Sequence, residues 1–204
     1  MKVKLGRLTS QETAHIIGPS LEAVFTGNYD EHEKWFFPLL SVDLAEVRPE
    51  WEGIVLHFIG YEPDDNVTFR LVDNKYLYEG DYSICIPLGE PIEQPGSWKA
   101  EYVELVEVEI PALSDPEANW DMQWQQVSWE MGQLSKDQRN PLLFGGAPVW
   151  MQPYDGTPTN PDGEKMMFVG QIYASDLTAY VAELSLYLFY CPKHNIVTQV
   201  AQMS

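Results

Sequence analysis

The chain has 204 residues, 45% of them hydrophobic and seven of them Trp, which is enough to bury a full core and argues against disorder. Acidic residues outnumber basic ones 31 to 12, a formal charge of -19; a field of that sign repels phosphate backbones and anionic lipid, so no nucleic acid and no membrane are expected, and the acidic surface serves either solubility alone or a basic protein partner. No apolar run approaches the roughly 20 residues of a membrane span, and the opening MKVKLGRLTSQETAHIIG turns polar too early for a secretory leader, so a cytoplasmic location is expected.

In chain order, the first clear signal is WFFPLLSVDLAEVRPEWEGIVLHF at 35 to 58, an apolar strand, an Asp-Leu that opens a helical turn, and a second strand. That second strand is apolar on both sides, with Ile54, Leu56 and Phe58 against Val55, His57 and Ile59, which predicts a central strand covered on both faces. Strands are predicted over 67–72 and 82–86, with Asp73-Asn74 as a turn in a meander. KAEYVELVEVEIP reads as a strand with one solvated, acidic face. Within 120–136, Trp120, Trp124, Val127, Met131 and Leu134 recur at helical spacing, while Met122 and Trp124 alternate with Gln123 and Gln125, so helix and strand both stay open with helix slightly favoured. The Pro- and Gly-rich stretch 153–164 is a loop of the length that often carries function or mobility. FVGQIYASDLTAYVAELSLYLF at 168 to 189 repeats the strand, Asp-Leu turn, strand order of the first half, with Asp43-Leu44 laid on Asp176-Leu177, and a closing strand follows. Asp43 and Asp176 then sit where side-chain capping of a helical turn is expected, with Ser175 able to take the place of Asp176.

The expected fold is α+β, with antiparallel-rich sheets and short helices, as two similar lobes of one globular domain, 1–112 and 113–204. Cys85 and Cys191 lie in apolar strand patterns and read as buried, reduced thiols. Cys191-x-x-His194 is half a zinc spacing with no second pair, so neither metal nor cofactor is expected.

GGAPVWMQ at 145 to 152, MMFVGQI at 166 to 172 and LYLFYC at 186 to 191 occur in the order and rough spacing of the YwqG-like family, a bacterial family of unknown function, which this chain resembles. The frame is also similar to the C-terminal domain of the programmed cell death protein 2 family, where Gly-Gly, Pro and Trp precede a Phe-containing strand ending in Gln. About 60 residues carry the resemblance, and Gly18-Pro19 echoes it in the first half. The first half lacks Gly-Gly, Trp and Gln, and the cysteines of the programmed-cell-death relatives are missing, so no zinc role carries over.

Trp150, Gln152, Gln171 and Tyr154, beside the 153–164 loop, form the candidate binding site, since an aromatic face with amide donors and acceptors is a common recognition chemistry. Amides buried in apolar strands need partners, so the same glutamines equally fit a purely structural duty. No catalytic residue is assigned, because nucleotide and hydrolase motifs are missing from the sequence. The leading functional reading is a non-catalytic acidic protein that holds a basic partner, the electrostatic logic of immunity proteins that neutralise basic toxins. The alternatives are a small-ligand or peptide module at the two motifs, and a hydrolase using scattered carboxylates with His32 or His57.

Overall fold

The computed structural model describes residues 2–63, 66–82, 85–86, 98–109, 125, 127, 129, 133, 142–151, 156–178 and 184–203. Its main feature is an eleven-stranded, fully antiparallel sheet that draws strands from both halves of the chain. In chain order these are β1 (Lys2–Thr9), β2 (His15–Ile17), β3 (Phe37–Asp43), β4 (Val55–Gly60), β6 (Val67–Val72), β7 (Lys75–Leu77), β9 (Tyr102–Glu109), β10 (Leu142–Phe144), β11 (Met167–Tyr173), β12 (Leu184–Cys191) and β13 (Ile196–Met203); β5 (Glu62–Pro63) pairs separately with β8 (Cys85–Ile86). The order across the large sheet is β4-β3-β2-β9-β1-β10-β11-β12-β13-β6-β7. Three helices described end to end are single turns: α1 (Leu21–Val24), α2 (Tyr29–His32) and α3 (Ala174–Leu177). Gln125, Val127, Trp129 and Gln133 are helical, the outcome favoured for that stretch; the rest of 120–136 lies outside the described residues.

Strand β12 explains itself by alternation. Leu184, Leu186, Leu188 and Tyr190 enter the larger core with Leu40, Val42, Leu56 and Phe58, while Tyr187, Phe189 and Cys191 enter a second core with Val3, Leu5, Val127 and Val200. Both faces are covered, as two-sided apolar strands require. Strand β4 carries the same pattern but ends the ladder order, so the expected central position holds for β12 and not for β4.

The outer edge of β4 is nevertheless closed, by side chains from the opposite end of the sheet. The Val55 N–H donates to Asn74 Oδ1 (3.1 Å), and the Tyr76 hydroxyl accepts the His57 N–H (2.7 Å) and donates to the His57 carbonyl (2.8 Å). Gln199 of β13 grips Ile59, accepting its N–H at 2.9 Å and donating to its carbonyl at 2.6 Å. Unmatched strand edges are a liability, and here amide and phenol groups replace a missing backbone neighbour. The sheet is thereby nearly closed. The turn that places Asn74 and Tyr76 is a two-residue hairpin, Asp73-Asn74, with φ of 50° and 61°, the left-handed geometry that tight hairpins favour.

The two hairpins named by the sequence repeat share one register. Ser41 faces His57 and Val42 faces Leu56; Gln171 faces Tyr187 and Ile172 faces Leu186, each number raised by 130. The bulges coincide as well, between Pro38 and Leu40 and between Phe168 and Gly170. The equivalence therefore sets Asp43 on Tyr173, three residues from the sequence alignment on Asp176. Strands β2 and β10 follow with 127 added: the Gly18 N–H meets the Leu39 carbonyl at 2.9 Å, and the Gly145 N–H meets the Val169 carbonyl at 2.8 Å. Strands β1 and β9 exchange roles with an offset of 97, because Leu5–Leu143 corresponds to Tyr102–Ile16, and Arg7–Glu104 is the pair of their ladder that this exchange maps onto itself. On the far side Thr68 and Thr198, also 130 apart, face each other with hydroxyls 2.8 Å apart.

Asp43 caps the 3-10 turn Leu44–Glu46 by accepting the Ala45 N–H at 2.9 Å. Asp176 does not cap. It lies inside α3, buried, with Lys99 Nζ at 3.8 Å, because the helical turn begins at Ala174, before Ser175 and Asp176. Of the strand expected over 82–86, Cys85–Ile86 is strand and Tyr82 is not, while 83–84 lie outside the described residues; Cys191 is a buried thiol.

Candidate functional site

Gly145 and Gly146 leave β10 at φ of 72° and 70°, a geometry that favours glycine, and turn the chain across the outer face of β11 and β12. Gln171 receives it there. Its Oε1 accepts the Val149 N–H (2.7 Å) and its Nε2 donates to the Val149 carbonyl (3.2 Å). The Tyr187 hydroxyl also donates to that carbonyl (3.2 Å) and accepts the Met151 N–H (2.9 Å), which Gln202 Oε1 approaches at 3.1 Å. Gln171 is 2% exposed, so both ends of its amide are committed to holding the segment. Trp150 stands half-buried over Tyr187 (centroids 4.5 Å) and Phe189 (6.0 Å) as the anchor of the same segment. Gln152 and Tyr154 lie outside the described residues. Of the four sequence candidates, Trp150 and Gln171 are brought together, and their contacts tie down the motif segment.

The described part of the loop is pinned. Asn160, 7% exposed, accepts the Asp162 and Glu164 N–H groups on one side-chain oxygen (2.9 and 3.0 Å), and Asp162 binds His194 (2.8 Å) and Lys193. The remaining histidines are structural in geometry. His57 Nε2 donates to the Asn74 carbonyl (2.9 Å), so Nδ1 accepts the Ser41 hydroxyl (2.8 Å), and burial pushes the imidazole down to about 4. His32 stacks on Phe25 (4.5 Å) and meets the Tyr82 hydroxyl (3.0 Å), with burial again lowering its pKa. His15 Nδ1 accepts the Asp43 N–H (3.2 Å), and Nε2 donates to Glu46 (3.0 Å). No metal-holding cluster occurs among the described residues.

A cavity of about 240 Å³ opens on the other side of the glycine pair. Lys2, Lys4 and Glu107 line it from β1 and β9, Arg48 from the β3–β4 connection, and Gly145 and Gly146 from the start of the motif segment. Alternation along β1 explains the cations: Val3 and Leu5 enter the outer core, which turns Lys2 and Lys4 to the opposite face. Lys2 Nζ donates to Glu107 at 3.0 Å. Arg48 lies 4.9 Å over the Trp51 ring, with Glu50 at 3.7 Å. The sequence reading missed these cations: Lys2 and Lys4 cluster in the first strand of a chain poor in Lys and Arg, but Arg48 lies in a separate segment and nothing in the sequence joins it to them. No family model matches the chain, and no curated protein or solved structure matches it.

Proposed function

We propose that this protein is a non-catalytic, cytoplasmic interaction protein of YwqG-like type, built as two similar lobes, whose acidic surface holds a basic protein. The observation that carries the reading is how the scarce cations are used. Lys2, Arg7, Lys34, Arg48, Arg70, Lys99 and Lys193 each pair with a carboxylate of the same chain. Such pairs neutralise equal numbers of charges, so the excess of 31 acidic over 12 basic residues is left for solvent or a partner. A surface of that sign accelerates encounter with a basic partner and repels competitors of like charge. The shared register of the two hairpins, 130 residues apart, supports the two-lobe reading. The histidine and glutamine geometry favours neither a hydrolase nor a ligand cleft at Trp150.

The test is capture at low salt, identification of the bound protein, and titration of the purified pair with salt. A basic partner whose affinity falls at least about tenfold between 50 and about 500 mM salt is the expected result. A salt-insensitive complex, or a partner that is itself acidic, overturns the reading.

A further inference from the structure

The geometry points to a second site: the cavity beside Gly145-Gly146 binds a small molecule through a phosphate or carboxylate oxyanion. This goes beyond the partner reading and does not depend on it. Three cations and one carboxylate line the cavity on a chain of formal charge -19, with Glu107 3.0 Å from Lys2 and Glu50 3.7 Å from Arg48. Lys4 has no carboxylate partner among the described residues, and neither does the Gly146 N–H have a hydrogen-bond partner there. An ammonium, a planar guanidinium held over Trp51 and a backbone N–H are the donor types that bind oxyanions. The volume of about 240 Å³ falls below the roughly 300–1,000 Å³ of drug-sized sites and suits a compact metabolite.

The equivalent place in the other half is sealed. With the offsets above, Gly145 corresponds to Gly18, Lys2 to Lys99 and Val47 to Leu177. There the Lys99 N–H donates to the Leu177 carbonyl (3.2 Å), and Trp98, stacked on Phe37 at 5.5 Å, covers the glycine so closely that a Cβ at Gly18 would lie 2.5 Å from its ring. Among the described residues, a Cβ at Gly145 would meet only Val47, at 3.9 Å. Among those residues, one fold position is thus covered by an indole in one half and lined by cations in the other, the difference that points to the second as a site.

The test titrates the full chain with inorganic phosphate and, separately, citrate, at ionic strength matched with sodium chloride, following amide chemical shifts and calorimetric heat. Saturable binding of at least one probe is expected below about 10 mM. Lys4→Gln and Arg48→Gln should each weaken it about tenfold, and Glu107→Gln, which removes the carboxylate from the wall, should tighten it several-fold. Lys4 is a half-exposed residue with no ion pair, so K4Q tests binding without threatening the fold. Phosphate binding alone assigns a phosphate ligand, and citrate binding alone a carboxylate ligand. No saturable binding of either probe, or K4Q and R48Q proteins that bind as tightly as the parent, overturns the assignment.

Discussion

Replacing Gln199 by Leu removes the grip on Ile59 while nearly conserving volume, so the change isolates the polar closure of the sheet from packing. Gln199 is fully buried, and the Ile59 N–H and carbonyl have this one amide as their partner. Each buried backbone group left unmatched costs about 1–3 kcal/mol, so a loss of about 3 kcal/mol is expected, lowering Tm by about 6–12 °C for a chain of this size. Gln171→Leu is the internal comparison. It orphans the Val149 N–H, but the carbonyl keeps the Tyr187 hydroxyl at 3.2 Å, so the loss should be nearer about 1–2 kcal/mol. Urea unfolding followed by Trp fluorescence measures both, with an unchanged m-value as the condition for comparing them. A loss below about 1 kcal/mol for Q199L, or a larger loss for Q171L than for Q199L, would refute the account of how β4 is closed.

Two further outcomes follow from the same geometry. The His57 imidazole sits at about 4 against an ordinary 6.5, so between those values the unfolded chain takes up a proton that the folded one refuses. Stability from this group is complete above the ordinary value and falls as pH drops toward 4, by up to about 3 kcal/mol, and His32 acts in the same direction. Unfolding measured at about pH 7 and about pH 5 should give a smaller difference in His57→Asn than in the parent; equal differences refute the assignment. Gly145→Ala should cost only the left-handed backbone penalty, about 1–2 kcal/mol, whereas Gly18→Ala adds a clash with Trp98 and should cost about 3 kcal/mol or more. Equal losses in the two variants would show that Trp98 gives way freely.

The alternation that makes β12 apolar on both faces was readable in the sequence, because period two reports burial directly. The same alternation misled about β4, since periodicity does not distinguish a strand flanked by backbone from one flanked by Asn74, Tyr76 and Gln199. The repeat was visible as an order of elements, yet Asp-Leu was the wrong anchor: register is fixed by pairing and bulges, and Asp43 precedes its helical turn whereas Asp176 lies within one. Gln171 stood out because an amide among apolar residues must find a partner, and that argument names the need without naming Val149. The cationic cavity was illegible because Lys2, Lys4 and Arg48 come from two segments that only the folded sheet brings together.

The register of β1 on β9 also relocates the acidic surface. Lys2 faces Glu109, Lys4 faces Glu107 and Arg7 faces Glu104, so the glutamate row that looked like an open acidic strand has a row of cations beside it. Cross-strand pairs of opposite charge are favourable and leave little net field over that wall. Away from that ladder, the exposed carboxylates without an ion pair among the described residues belong to connections and helical turns: Glu12, Glu22, Asp30, Glu33, Glu52, Asp73 and Glu101. Glu46, tethered to His15, and Glu50, beside Arg48, are exposed in the β3–β4 connection but already matched. A partner drawn by charge would therefore approach the ends of the sheet, where the loops are, and not its strand wall, and the basic cavity lies at one such end, between Arg48 and the start of β1.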